Sequence, residues 1–323
     1  MWDVHAHHVP HSALEAAESA RSLGVQYDPA TRVLTRPSGA ARPVSPKLTD
    51  LGAAREHALQ QGIDVQVLSP WLDLTDHALP RPDARAWTQE LNDAMAAAIE
   101  GKPEFRAMAA LPLVDGSDAA AELTRTVQES GFLGAIVDTQ IKGSGLSQAG
   151  LGALFEAAAG LGAVLFIHPF EVFGRKRLSA HFMTNICGNP FETTAAALDL
   201  VWSGVFHRHP GLKVLLAHAG GTLPYIAGRA AHGSHTVVPG PGFDAGEVLR
   251  LFHYDTVLHD PQALAFAVAR VGSDRMVVGT DVPFPMALDD ARAHVGKVGG
   301  ILERTDLFTA FADTTGALFD RSG

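Results

Sequence analysis

One pattern recurs along the chain and restricts its fold more than any single motif: a short β-branched or apolar run ends in a polar residue or turn, and an alanine-rich amphipathic stretch follows. This is the βα unit of a parallel sheet, since strands buried on both faces read as continuous apolar runs while crossover helices show one apolar face. The runs predict strands at 2–5, 63–68, 105–111, 134–138, 163–167, 212–217, 254–258 and 275–280. Helical patterns lie between them at 48–61, 83–100, 117–130, 147–161, 191–207, 222–232, 261–271 and 286–298, with a further helix or two in 303–319. Repetition on this scale favours a closed (β/α)8 TIM barrel over an open doubly wound sheet, and no GxGxxG follows the first strand to mark a dinucleotide site. A single α/β barrel domain over 1–323 is the expectation. Segment 25–47, VQYDPATRVLTRPSGAARPVSPK, departs from the theme and reads as a small insertion after the first strand, with a hairpin pairing Val25–Tyr27 with Arg32–Thr35. A second long connection, 169–190, follows the fifth strand and reads as a lid.

Composition excludes several function classes. With 25 Lys+Arg against 35 Asp+Glu the formal charge is −10, and no basic run exists to track phosphates, so a nucleic-acid partner is not expected. The single cysteine, Cys187, cannot form an intramolecular disulfide. Met1 is not followed by a basic start and apolar h-region, and the apolar stretch 195–217 is broken by Asp199, His207, Arg208, His209 and Lys213. A cytoplasmic protein without a membrane partner is expected.

Histidine is the anomaly, at 16 residues in 323, roughly twice what ordinary soluble composition leads one to expect. The first strand runs into DVHAHHVP, and residues two apart on a strand face the same way, so His5 and His7 can present imidazoles to one point. His168 ends the fifth strand (VLFIHPF), His218 the sixth (KVLLAHAGG) and Asp281 the eighth (MVVGTDVPFP). Any one of these alone is ordinarily a satisfied polar residue at a strand end. Together they meet at the C-terminal face of a barrel, where catalytic groups of that fold converge. Imidazole and carboxylate donors suit Zn²⁺, Mn²⁺ or Fe²⁺, and ligand type does not choose among them.

With these residues in place the chain resembles the amidohydrolase superfamily, in the branch containing aminocarboxymuconate semialdehyde decarboxylase and γ-resorcylate decarboxylase. The matching segments are DVHAHHVP, GIDVQVLSP at 62–70, HPF at 168–170, NPFETTAA at 189–196, GVFHRHPGLKVLLAHAGGTLPYIAGR at 204–229, FHYDTVLHDPQAL at 252–264 and GSDRMVVGTDVPFP at 272–285. The resemblance implies metal ligands at His5, His7, His168 and Asp281, with His218 beside the metal to orient or activate water. It implies one divalent ion, expected to be Zn²⁺ with Mn²⁺ as the alternative, and no organic cofactor. No lysine stands where a carboxylated bridging ligand would, since Lys142 lies four residues beyond Asp138.

The same resemblance implies two arginines that hold substrate carboxylate. By position these are Arg42 in the insertion and Arg229 after His218, the latter reaching across a homodimer interface. A guanidinium fork suits bidentate carboxylate recognition; the competing reading of each is a solvated surface cation. Trp71 and Phe284, with Phe170, stand at strand ends where they can wall an unsaturated substrate or simply pack the barrel top. His8, His11 and Glu171 read as loop or packing residues. The activity implied is metal-dependent, non-oxidative decarboxylation of an unsaturated or aromatic carboxylic acid. The alternatives are a hydrolase of a lactone or amide, a hydratase, or a barrel that binds metal without catalysis. HPF in place of HPW, together with Trp71, weakens assignment to the semialdehyde decarboxylase in particular.

Overall fold

The structure is a computed structural model that describes residues 1–19, 25–75, 77–238, 240 and 242–321. Strand β1 (Trp2–His8) leads through helix α1 (His11–Ser19) into a small antiparallel sheet of β2 (Gln26–Asp28), β3 (Val33–Thr35) and β4 (Ala41–Pro43). Then follow α2 (Leu51–Gln60), β5 (Val65–Pro70), α3 (Arg81–Ile99), β6 (Phe105–Ala109), α4 (Gly116–Glu129), β7 (Gly134–Val137), the short pair β8 (Gln140–Ile141) and β9 (Ser144–Gly145), α5 (Gly152–Leu161) and β10 (Val164–Ile167). The chain continues through α6 (Asn189–Trp202), α7 (Val205–Arg208), β11 (Lys213–Leu216), α8 (Leu223–Thr236), α9 (Ala245–Arg250), β12 (His253–Tyr254), α10 (Pro261–Val271), α11 (Ala291–Ile301) and α12 (Leu307–Phe319).

Seven strands form one sheet in the order β1-β5-β6-β7-β10-β11-β12, every pairing parallel. The run expected as an eighth strand, 275–280, is not a regular strand; it makes single bridges instead, Tyr254 to Met276 and Ala6 to Val282. Its backbone is nevertheless bonded on both sides, Val277 N to Tyr254 O and Val4 N to Val278 O, so the two edge strands share it. Glycine explains part of the irregularity: a Cβ on Gly279 would lie 2.8 Å from the His5 Cβ and 2.9 Å from the Asp255 Cβ.

Strand alternation sorts the apolar residues into two layers. Val4, Val67, Met108, Ile136, Phe166, Leu215 and Val277 share one interior cluster, while their neighbours Ala6, Leu68, Ala107, Val137, Leu165 and Leu216 pack outward against the helices. Side-chain caps start several helices: Asp115 accepts from Ser117 N and Asp118 N at α4, and Asp260 from Gln262 N at α10.

The insertion after β1 holds a three-stranded sheet where a hairpin was expected, because β4 adds to β3 with Leu34 opposite Arg42. Helix α9 falls outside the expected patterns, and the connection after β10 carries a π-turn at Thr184–Gly188. No helix of the described residues is long and apolar enough to cross a membrane.

Burial pushes the imidazoles of His8 and His253 down to about 4. Both stay neutral in the fold, while the unfolded chain takes up protons near the ordinary value of 6.5, so unfolding binds protons below that pH. Stability should therefore fall as pH drops from 6.5 towards 4. Melting temperatures across that range will show the decline, and His253→Gln will flatten it.

Candidate active site

The residues singled out at strand ends come together. His5 Nε2 lies 3.2 Å from His7 Nε2, and Asp281 Oδ1 is 3.2 Å from the first and 3.3 Å from the second. The ligand atoms of His5, His168, His218 and Asp281 all fall within 4.8 Å of one another. The His7 and His168 ring centroids are 5.0 Å apart. His218, expected beside the ligands, stands among them, with Nε2 3.7 Å from Asp281 Oδ2.

A fault in the β1–β5 register makes this possible. Asp3 pairs with Gln66 and Ala6 with Leu68, so three steps on β1 match two on β5. Unbroken alternation would turn His5 outward, because Val4 already points into the interior cluster. The extra residue lets Val4, His5 and His7 all face inward. At the other strand ends the backbone is forced: His218, Ala219 and Asp281 adopt φ of +55°, +52° and +64°, a region that costs non-glycine residues about 1–3 kcal/mol each and recurs at functional sites.

Electrostatics agree with a cation site. Burial alone would lower the His5 pKa, but the charge of Asp281 and the bonds to Asp255 and Asp281 outweigh it and draw it up to about 10. Burial works against the charged form of Asp281, yet His5 and bonds from His218, His5 and His7 hold it well below the ordinary carboxylate range. Burial, then the neighbouring His7, His5 and His218, keep His168 neutral far below its usual value. Both ring nitrogens of buried His168 lack a hydrogen-bond partner, an expensive state for a buried polar group. A neutral imidazole with free lone pairs, beside an ionised carboxylate, fits a divalent ion. His5, His168, His218 and Asp281, with His7 Nε2 beside them, would hold it.

Composition and spacing did not point to Asp255. It lies just past β12, fully buried, and accepts His5 Nδ1–H at 2.6 Å. Its oxygens also take His218 N at 3.0 Å, Ala219 N at 2.8 Å and Val257 N at 3.0 Å. The bond to Nδ1 fixes the tautomer and turns Nε2 towards the cluster. A carboxylate inside the apolar run expected as the strand 254–258, in FHYDTVL, was the available signal.

The expected substrate residues divide. Phe284 reaches the cluster, its ring 4.9 Å from that of His7. Trp71 is buried in an apolar cluster against which Phe284 packs. Arg42, on β4, has a side chain 42% exposed, with Nε 3.5 Å from Asp73. The insertion also supplies Arg36, only 4% exposed, whose guanidinium lies 4.6 Å from the Phe170 ring centre and 3.5 Å from Glu171. Glu171, with a side chain 40% exposed, stands 3.5 Å from both Arg36 and Arg175. Arg229 is exposed on α8. A cavity of about 390 Å³ borders His7 and Phe284 from the α2 side but does not contain the metal cluster.

Replacing Asp255 by Asn should lower divalent-metal affinity by roughly 10- to 100-fold, the usual consequence of losing such a support. Chelator competition will measure it.

The comparisons with known proteins follow the same lines. A 2-amino-3-carboxymuconate-6-semialdehyde decarboxylase from Dictyostelium discoideum is 34% identical over 230 residues, 69% of this chain and 64% of that protein, somewhat under two thirds of its length. A γ-resorcylate decarboxylase from Polaromonas sp. is 28% identical over 262 residues, 74% of this chain and 78% of that one. The solved dihydroxybenzoic acid decarboxylase from Polaromonas sp., with bound manganese, shares the fold at a TM-score of 0.78 and 22% identity, covering 98% of this chain and 96% of that one. A family model described as amidohydrolase matches residues 2–298, and the chain belongs to that family.

Proposed function

We propose that this protein is a metal-dependent, non-oxidative decarboxylase of an unsaturated or aromatic carboxylic acid, built on a (β/α)8 barrel that takes up the whole chain. The observation that carries this reading is one buried imidazole and carboxylate cluster, with Arg36, Arg42 and Arg175 paired to Asp73 and to Glu171, three residues after His168. Relatives named as decarboxylases of aminocarboxymuconate semialdehyde, γ-resorcylate and 6-methylsalicylic acid support the substrate class.

A divalent ion, Zn²⁺ or Mn²⁺, would supply Lewis-acid polarisation of a substrate oxygen. Arg42, with the more deeply buried Arg36 beside it, offers a guanidinium fork for carboxylate. Cleavage of the C–C bond releases CO₂ and leaves the electron pair on the carbon that bore it, where the substrate's own enone or phenol accepts the charge. That carbon then takes a proton. His218 would deliver that proton, with Asp281, ionised and with Oδ2 3.7 Å from His218 Nε2, steadying the imidazole that carries it. Phe284 and Phe170 wall a flat substrate and keep water from the carbanion.

A second copy of the chain completes the pocket in this reading, with Arg229 supplied in trans. The connection after β10 and the helices on either side of His218 expose large apolar side chains, among them Phe173 at 79%, Phe191 at 55% and Tyr225 at 81%, as an interface requires.

Protein loaded with Mn²⁺ or Zn²⁺ should release CO₂ from members of a panel of hydroxybenzoates and muconate-type acids. His218→Ala should reduce kcat by about 10²-fold or more while retaining metal. Lactone opening without CO₂ release would move the assignment to hydrolysis. Inactive Arg229→Ala and His218→Ala chains, co-expressed, should regain activity, because a mixed dimer has one intact pocket. No recovery in a proven mixed dimer would rule out the trans arrangement.

A further inference from the structure

The metal-site histidines are not supported alike. His5 has its own carboxylate, Asp255, on the ring nitrogen that faces away from the cluster. His168 has none: neither ring nitrogen meets a hydrogen-bond partner, and the aromatic rings that pack on it among the described residues are those of Phe166, His5, His7 and His218. Its direction must come from its backbone.

That backbone is held from the neighbouring strand. His168 N donates to Val137 O at 2.9 Å, at the end of β7. Pro169 has no N–H to give. The next donor, Phe170 N, is taken by Asp138 Oδ1 at 3.1 Å. The turn that carries His168 is therefore fastened on both sides of Pro169 to two consecutive residues, 137 and 138. Asp138 is fully buried, and Oδ1 also accepts Thr139 N at 2.6 Å. Its other oxygen, Oδ2, lies 3.2 Å from Nε2 of His77, a 7% exposed residue from the loop after β5. The His77 ring meets that of Phe170 edge-on, with centroids 6.4 Å apart.

We propose that Asp138, braced by His77, is the positioning residue for His168, acting through the backbone of the His168–Pro169–Phe170 turn. The inference rests on reading His168 as a metal ligand. It also makes Phe170, on which Arg36 lies, depend on the same pair. A brace that only stabilised the fold would change the melting temperature and leave the ligand geometry alone. A positioning brace changes metal affinity and ligand field in protein that is still folded.

The test uses full-length protein freed of metal and reloaded with Mn²⁺ or Co²⁺. Asp138→Ala should weaken Mn²⁺ binding by about 10-fold in chelator competition, the lower end of the effect of losing a metal-site support, and should change the visible absorption of the Co²⁺ form. His77→Ala should do the same in smaller measure. His77→Gln, which keeps an N–H towards Asp138 Oδ2, should restore both readings towards wild type. Substrate KM should rise in Asp138→Ala, because Phe170 moves with the turn. If wild type binds metal and folded Asp138→Ala and His77→Ala match it in affinity and Co²⁺ spectrum, the inference is overturned while the metal-site reading stands. If wild type itself binds neither ion, both fall.

Discussion

The 2.6 Å bond between His5 and Asp255 joins residues 250 positions apart in sequence. Half of the candidate site leans on it. Asp255 aims the His5 ring and also takes the backbone N–H groups of His218 and Ala219, so a single buried carboxylate orients two of the cluster's imidazoles. It can do so only because 276–282 lies between β12 and β1 and draws them together. Gly279 is part of that closeness, since any side chain there would push His5 and Asp255 apart. The fold and the site are therefore one construction at this seam.

Much of this could be read in the chain, and the reasons are physical. Strand ends in a parallel α/β sheet all open on one face, so His168 and His218, each after a pure apolar run, could be placed without knowing any contact. Phe284 followed from the same rule. Asp255 did not, because its role depends on a partner 250 residues away and nothing local sets it apart from an ordinary strand-end aspartate. Arg36 was hidden for another reason. Arg42 was singled out by its place in the insertion, and only the pairing of β3 with β4 shows that Arg36, just beyond β3, is the more buried of the two and lies against Phe170. The run 275–280 misled in a milder way: its apolar pattern is that of a strand, while the fold pairs it only through single bridges and backbone bonds to β12 and β1.

The molecule carries a net charge of −10, yet its proposed ligand is an anion. The global field works against capture, so binding depends on a local reversal of sign. The rim meets this with three guanidinium groups, Arg36, Arg42 and Arg175, set against the two carboxylates Asp73 and Glu171. Burial pushes the Asp73 carboxyl upward, against the pull of Arg36, Arg42 and Arg175. None of these ion pairs is closer than 3.5 Å. In the proposed reading, these loosely paired guanidinium groups would meet the incoming acid.

The extra residue in β1 has a consequence for how this chain can change. Because the slip falls between Asp3 and Ala6, the phase of His5 and His7 is set by the count of residues ahead of them rather than by their identity. Point substitutions in the first strand leave that phase intact. A deletion of one residue there would turn both imidazoles out among the helices while every apolar position stayed apolar. Variation in length at the amino-terminal strand is thus far more restricted than variation in composition, and a graft of this metal site onto another barrel would have to carry the slip along with the histidines.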